Sequence, residues 1–203
     1  MLQTQTVVPN LLELLKKIMK EDLFKDFFLV GGTSLSLQIG HRNSIDIDLF
    51  GNSKINQEVF TEKLKTFGNV IITQSSNNLM LLNVNGVKVD FVNYTYPLLE
   101  SPLEIDGIRM HSKKDIAAMK LNAIAGRGSK KDFIDLYFLL NEFSLKQILN
   151  FHKEKYHDGS EFLVIKSLSY FEDANSQLNP KMFLEFNWEK CKEKIIEEVK
   201  KLQ

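Results

Sequence analysis

Residues 31–50 read GGTSLSLQIGHRNSIDIDLF, from Gly31 to Phe50, and the fold turns on how this stretch is read. A glycine pair stands where a short apolar strand, Phe27-Phe28-Leu29-Val30, meets a brief helix carrying Leu35, Leu37 and Ile39, and Gly40 is placed to end that helix. The next segment, Ser44 to Phe50, alternates Ile45, Ile47 and Leu49 with Asp46 and Asp48. In a strand, residues two apart point to the same side, so the two aspartates project together and the three apolar residues face the core. Paired acids within an apolar segment carry a desolvation cost that a cation would offset.

Working outward, Leu11, Leu12, Leu15 and Ile18 recur at helical spacing behind Pro9-Asn10, and Asn10 is expected to cap that first helix. Val59, Phe60, Leu64 and Phe67 predict a helix over residues 57–67, after which strands begin at Asn69. LMLLNVNGVKVDFVNY reads as an antiparallel hairpin, because Asn85-Gly86 suits a tight turn with positive φ between apolar and β-branched arms. On its second arm Asp90 shares a face with Lys88, opposite Val87 and Val89. Beyond Pro97 and Pro102 the pattern turns helical. Helices are expected at about 113–125, capped by Ser112, and at 130–142, 145–156, 161–170 and 188–202. The expected division is an α/β core over 1–105 and a helical C-terminal region over 106–203 packed on it.

The chain of 203 residues has 26 Lys plus Arg and 26 Asp plus Glu, a formal net charge of zero, which argues against wholesale attraction to nucleic acid or membrane and leaves room for a local basic face. No segment approaches the length of a membrane span, and MLQTQTVVPNLLELLKK lacks a basic leader followed by an apolar run, so a cytoplasmic protein is expected. Cys191 is the single cysteine and reads as a packing thiol of the last helix.

If Asp90 joins Asp46 and Asp48, three carboxylates converge, a donor set suited to hard divalent cations such as Mg²⁺ that keep substrate phosphates in their shell. Two such ions can clamp the attacking and leaving oxygens of a phosphoryl displacement. Gly31 and Gly32 would let a phosphate approach the backbone at the start of a helix, whose free N–H groups favour an anion, and Thr33 and Ser34 would add hydroxyl donors. Strand, glycine pair, short helix, Asp-x-Asp strand and a hairpin with a further Asp together point to nucleotidyl transfer. The rival readings are a binding module without chemistry and acids that merely cap and bridge.

This order resembles the polymerase-β-like nucleotidyltransferases, through Gly31-Gly32, Asp46-Ile47-Asp48 and Asp90. More narrowly, His41, Arg42, Ser44, Asp46, Asp48 and Leu49 are similar to the corresponding stretch of the AbiEii/AbiGii nucleotidyltransferase toxins. MKLNAIAGRGSKKDFIDLYFLL fits that group's second motif with Lys120, Arg127, Lys131, Asp132 and Asp135. The Gly-Gly turn replaces the Ser of many relatives, so Thr33 or Ser34 is expected to supply the hydroxyl.

The resemblance implies an α+β fold, a polymerase-β-like core of mixed sheet flanked by helices followed by a C-terminal helical region. It implies a metal-dependent transfer of NMP from an NTP, with Mg²⁺ or Mn²⁺ on Asp46, Asp48 and Asp90. Lys120 and Asp135 join those acids as catalytic candidates. Gly31, Gly32, Thr33, Ser34, Arg42, Lys120 and Arg127 are the nucleotide-binding candidates, Arg42 either touching substrate or bracing the acids. Asp135 is favoured over Asp132. The implied acceptor is an RNA 3′ end (tRNA), with a small molecule or a protein side chain as alternatives, and the implied partner is a cognate antitoxin.

Overall fold

The computed structural model describes residues 1–202. In chain order the elements are α1 (Pro9–Met19), β1 (Phe28–Leu29), α2 (Gly31–Ile39), β2 (Asp46–Gly51), α3 (Gln57–Lys65), β3 (Val70–Ser75), β4 (Leu79–Val84), β5 (Val87–Asn93), β6 (Leu103–Ile105) and β7 (Ile108–Met110). Helices α4 (Lys113–Gly126), α5 (Lys130–Leu139), α6 (Leu145–Lys155), α7 (Glu161–Ser167), α8 (Glu172–Asn175) and α9 (Trp188–Lys200) complete it. The chain divides into two units, one of Met1–Tyr96 with Ser101–His111, the other of Pro97–Glu100 with Ser112–Gln203.

The first unit is built on a seven-stranded mixed sheet in the order β3-β4-β5-β2-β1-β7-β6. Its centre is the parallel pairing of β2 with β5, while β1 runs antiparallel to β2 and parallel to β7. Ile47 and Leu49 of β2 and Val89 and Phe91 of β5 are fully buried on one face. Against that face lie Leu11, Leu15 and Ile18 of α1, and a cluster of Phe24, Phe27, Phe60 and Phe91 whose ring centroids stand 4.9 to 5.7 Å apart. Burying such aromatic side chains supplies much of the stabilisation of the sheet, with a further increment from edge-to-face contact. The opposite face of β2 and β5 is therefore left for polar residues.

Several local expectations need correction. Helix α1 begins at Pro9 rather than after Asn10; proline fits the first helical position because its missing N–H has no partner there, and Asn10 Oδ1 instead accepts from the N–H of Leu11. Ile45 precedes β2 and is half exposed, so the apolar side of that strand is Ile47 and Leu49 alone. The hairpin turn is as expected, with φ of 50° at Asn85 and 87° at Gly86. A second hairpin, β6–β7, turning at Asp106-Gly107 with φ of 54° and 75°, stands where the pattern beyond Pro102 predicts helix. The boundary expected between 105 and 106 cuts this hairpin, which belongs wholly to the first unit.

The second unit is helical. Ser112 caps α4 by accepting from the N–H of Asp115, as its position predicted, and Ser144 with Gln147 forms a reciprocal capping box on α6. Phe133, Phe171 and Trp188 form an aromatic cluster with centroids 4.9 to 6.1 Å apart. Cys191 is buried beside it on α9, its thiol pushed up to about 12 by burial, in keeping with a packing role. Asp115 and Lys155 make a fully buried ion pair at 2.8 Å that also holds the segment Pro97–Glu100: Asp115 accepts from the N–H groups of Leu99 and Glu100, and Lys155 donates to the carbonyl of Pro97. Among the described residues no helix is long and apolar enough to cross a membrane.

Candidate active site

The site candidates of the first unit gather on the polar face of β2 and β5. Register sets the arrangement: Asp46 stands beside Lys88, and Asp48 beside Asp90. Paired residues of neighbouring strands share a face at about 4.8 Å, so the three carboxylates and one ammonium mark the corners of a small rectangle. Lys88 Nζ lies 2.6 Å from Asp90 Oδ2. Burial acts to lower the ammonium's pKa, but the hydrogen bond and charge of Asp90, with the charges of Asp48 and Asp46, raise it on balance. Asp90 Oδ1 is buried without a hydrogen-bond partner.

The glycine turn borders this rectangle. Gly31 has φ of 67°, in the left-handed region, and a Cβ placed there would stand 2.8 Å from Asp48 Oδ2. Only glycine fits, on both counts. Helix α2 starts at this residue, and its N-cap Val30 has no polar side chain to bond the first N–H groups. N–H groups at the start of a helix favour an anion. The main chain fixes the turn to the acid strand, since the N–H of Val30 donates to the carbonyl of Asp48 at 2.9 Å.

The hydroxyls and the arginine face elsewhere. Thr33 is fully buried, donates to the carbonyl of Asp46 and pairs with Ser44 Oγ at 2.8 Å. Ser34 is fully buried and accepts from Gln38 Nε2 at 3.1 Å. Both hydroxyls, expected as phosphate donors, are engaged inside the fold, Thr33 tying α2 to β2 and Ser34 bonding within α2. Arg42 is 2% exposed, donates to the carbonyl of Asn43, and its guanidinium lies where a Cβ at Gly32 would be. The guanidinium thus sits behind the glycine turn, and it gives Gly32 a steric reason to be glycine. His41 is fully buried.

The second unit carries the other motif as an ion cluster of its own. Lys120, 5% exposed on α4, meets Asp132 at 2.9 Å and Asp135 at 2.6 Å, both acids fully buried on α5. Arg127 grips Asp132 with Nε at 2.8 Å and Nη2 at 3.1 Å, its side chain otherwise 69% exposed, and Ser129 Oγ donates to the same carboxylate at 2.7 Å. Burial works to raise the Asp132 carboxyl, but Lys120 and Arg127 outweigh it and bring it down to about 2. Asp132 is held by both Lys120 and Arg127, and Asp135 by Lys120. Lys120 stands twelve residues and Arg127 five residues before Asp132, a pairing of α4 with α5 that neither strand parity nor motif spacing ranks.

The oxygen-only donor set of Asp46, Asp48 and Asp90 suits a hard cation, and the partnerless Asp90 Oδ1 is an acceptor that one would satisfy. Among the described residues no three such side chains already stand gathered for a metal ion, so these carboxylates would have to draw in around it. Lys88, absent from the candidates singled out by sequence, supplies the cation there.

Comparison with known proteins defines the class. The chain is similar over 95% of its length to JHP933 from Helicobacter pylori, covering 88% of that chain at a TM-score of 0.60 and 17% identity. It is similar over 96% to MenT4, a nucleotidyltransferase toxin from Mycobacterium tuberculosis H37Rv, covering 83% of it at a TM-score of 0.59 and 15% identity. It matches the antibiotic-resistance factor ANT(2″)-Ia over 70% of its length and 89% of that chain, with a TM-score of 0.54 and 14% identity. At such identities the likeness is one of fold, and the fold is that of nucleotidyltransferases. In sequence, an uncharacterized protein of Aquifex aeolicus (strain VF5) is 37% identical over 194 residues, 93% of each chain. The profile of the family described as Nucleotidyl transferase AbiEii toxin, Type IV TA system, matches residues 13–81 and 81–201. The chain belongs to this family of nucleotidyltransferase toxins.

Proposed function

We propose that the chain transfers a nucleoside monophosphate from an NTP to the 3′ end of an RNA, tRNA being the leading case, with Mg²⁺ held by Asp46, Asp48 and Asp90. The observation that carries this reading is the placement of those three acids on one face of two adjacent strands, beside the glycine turn that opens α2. The RNA acceptor, and a cognate antitoxin that restrains the protein, are inferred from family membership.

In this reading the N–H groups at Gly31 and Gly32 take oxygens of the triphosphate, and Arg42 keeps the turn in shape from behind. Bound there, the metal would neutralise charge on the reacting phosphate, and Mn²⁺ would serve in place of Mg²⁺. Asp90 accepts the proton of the acceptor hydroxyl as its oxygen bonds to the α-phosphorus; the bond from that phosphorus to the bridging oxygen breaks, and pyrophosphate leaves. In the second unit, Lys120 and Asp135 fix Asp132, which in turn presents the exposed Arg127 to an anionic phosphate.

The test is to incubate the protein with Mg²⁺, each labelled NTP and total RNA, beside an Asp46→Ala/Asp48→Ala variant. Label in RNA with wild type and none with the variant supports the proposal. Label in protein or in a small molecule overturns the acceptor, and equal labelling by the variant overturns the site.

A further inference from the structure

The group in the rectangle that the transfer scheme does not use is Lys88. We propose that Lys88 is a resident counter-ion of the acid site, holding Asp90 while no divalent cation is bound and displaced from it when one enters. The inference rests on the metal reading above and adds to it a competitor encoded in the same strand.

Three observations carry it. The register puts Lys88 at the fourth corner of the face occupied by Asp46, Asp48 and Asp90, and its ammonium takes Asp90 Oδ2 at 2.6 Å. The other oxygen of that carboxylate is buried and partnerless, so the pair leaves half of Asp90 unsatisfied. The Lys88 side chain is 54% exposed, so its flexible stem can swing away without opening the core, while the Asp90 side chain at 13% is held in place. An isolated ion pair with one partner so exposed is worth little. This one is set against three acids, and a threonine or valine would serve the strand equally well. A divalent ion offers the same carboxylates twice the charge and can take both oxygens of Asp90, so it exchanges with the ammonium rather than adding to it.

The experiment titrates the full-length protein with Mn²⁺, reading the free aquo ion by electron paramagnetic resonance, for wild type, Lys88→Met, Lys88→Arg and Asp48→Asn. In parallel, an acetylating reagent labels lysines with and without Mn²⁺, read residue by residue by mass spectrometry. The expected result is Mn²⁺ binding that Asp48→Asn weakens, about tenfold tighter in Lys88→Met at low salt, the order of effect of one charge a few ångströms from a divalent ion under near-aqueous screening. Lys88→Arg, which keeps the charge and the grip, binds no tighter than wild type, and Mn²⁺ speeds acetylation of Lys88 several-fold. Equal affinity in wild type and Lys88→Met, tightening by Lys88→Arg as well, or unchanged labelling at Lys88 overturns the counter-ion while leaving the metal reading intact. No Mn²⁺ held by wild type or Lys88→Met overturns the metal reading itself, and the counter-ion with it.

Discussion

Replacing Asp132 by asparagine keeps the shape of the side chain and removes its charge, which makes it a direct test of the second unit's ion cluster. The carboxylate is fully buried and accepts from Lys120, Arg127 and Ser129. Lys120 and Arg127 bring its carboxyl from 3.8 down to about 2, and at more than about 1 kcal/mol for each unit of pKa this corresponds to about 2–3 kcal/mol of stability. Burial of an ion whose partner has been removed is costly, but Lys120 keeps Asp135 at 2.6 Å, so the total stays near 3 kcal/mol instead of the upper range for broken buried pairs. The sign with pH follows from the depressed value: the contribution is complete above 3.8, falls to about half by pH 3, and disappears as pH drops through 2. Urea unfolding followed by circular dichroism at pH 7 and at pH 3 should therefore show a large gap between wild type and Asp132→Asn that narrows in acid. Equal midpoints at pH 7, or a gap unchanged at pH 3, would refute the claim that this carboxylate is held ionised by Lys120 and Arg127.

Other consequences are as direct. Asp48→Ala should lower nucleotidyl transfer at least a hundredfold with little change in thermal midpoint, since the side chain is half-buried at the surface of the sheet; a normal rate would remove it from the site. Gly31→Ala should cost about 1–2 kcal/mol, because φ of 67° is strained for alanine and its methyl would meet Asp48 Oδ2, and should abolish transfer as well; stability equal to wild type in a thermal melt would contradict the turn geometry. Lys155→Met leaves Asp115 buried without its cation and should destabilise the second unit by about 3–5 kcal/mol, checked by urea midpoints. Burial lowers the pKa of His152 in the fold, so the unfolded chain takes up that proton first, and stability should fall as pH drops below 6.5; thermal melts of wild type and His152→Gln between pH 7.5 and 5.5 should diverge there, with the variant flatter.

What sequence alone conveyed was governed by local rules. Strand parity put Asp46 and Asp48 on one side and Asp90 with Lys88, and Asn85-Gly86 and Ser112 fixed a turn and a cap because each satisfies its own backbone within a few residues. What escaped depended on neighbours distant in the chain. The burial of Thr33 and Ser34 follows from where α2 packs on β2, which no spacing within GGTS specifies. Register between β2 and β5, which sets Asp48 against Asp90, arises from a parallel pairing separated by some forty residues. The β6–β7 hairpin was within reach, since Asp106-Gly107 lies between Ile105 and Ile108, but its arms of three residues are too short for alternation to stand out. That Arg127 and Ser129 as well as Lys120 reach Asp132 likewise depends on how α4 and α5 pack.

The chain's threading has a consequence for how the molecule is made. Pro97–Glu100 are anchored by Asp115 and Lys155, yet the next eleven residues return to finish the sheet before the helices begin. A nascent polypeptide cannot seat β7 beside β1 until His111 has cleared the ribosome, and its residues 97–100 must wait for Lys155 to be synthesised. No single cleavage point therefore yields two intact halves, and a gene split anywhere between codons 97 and 111 would leave at least one fragment lacking a piece of its own architecture.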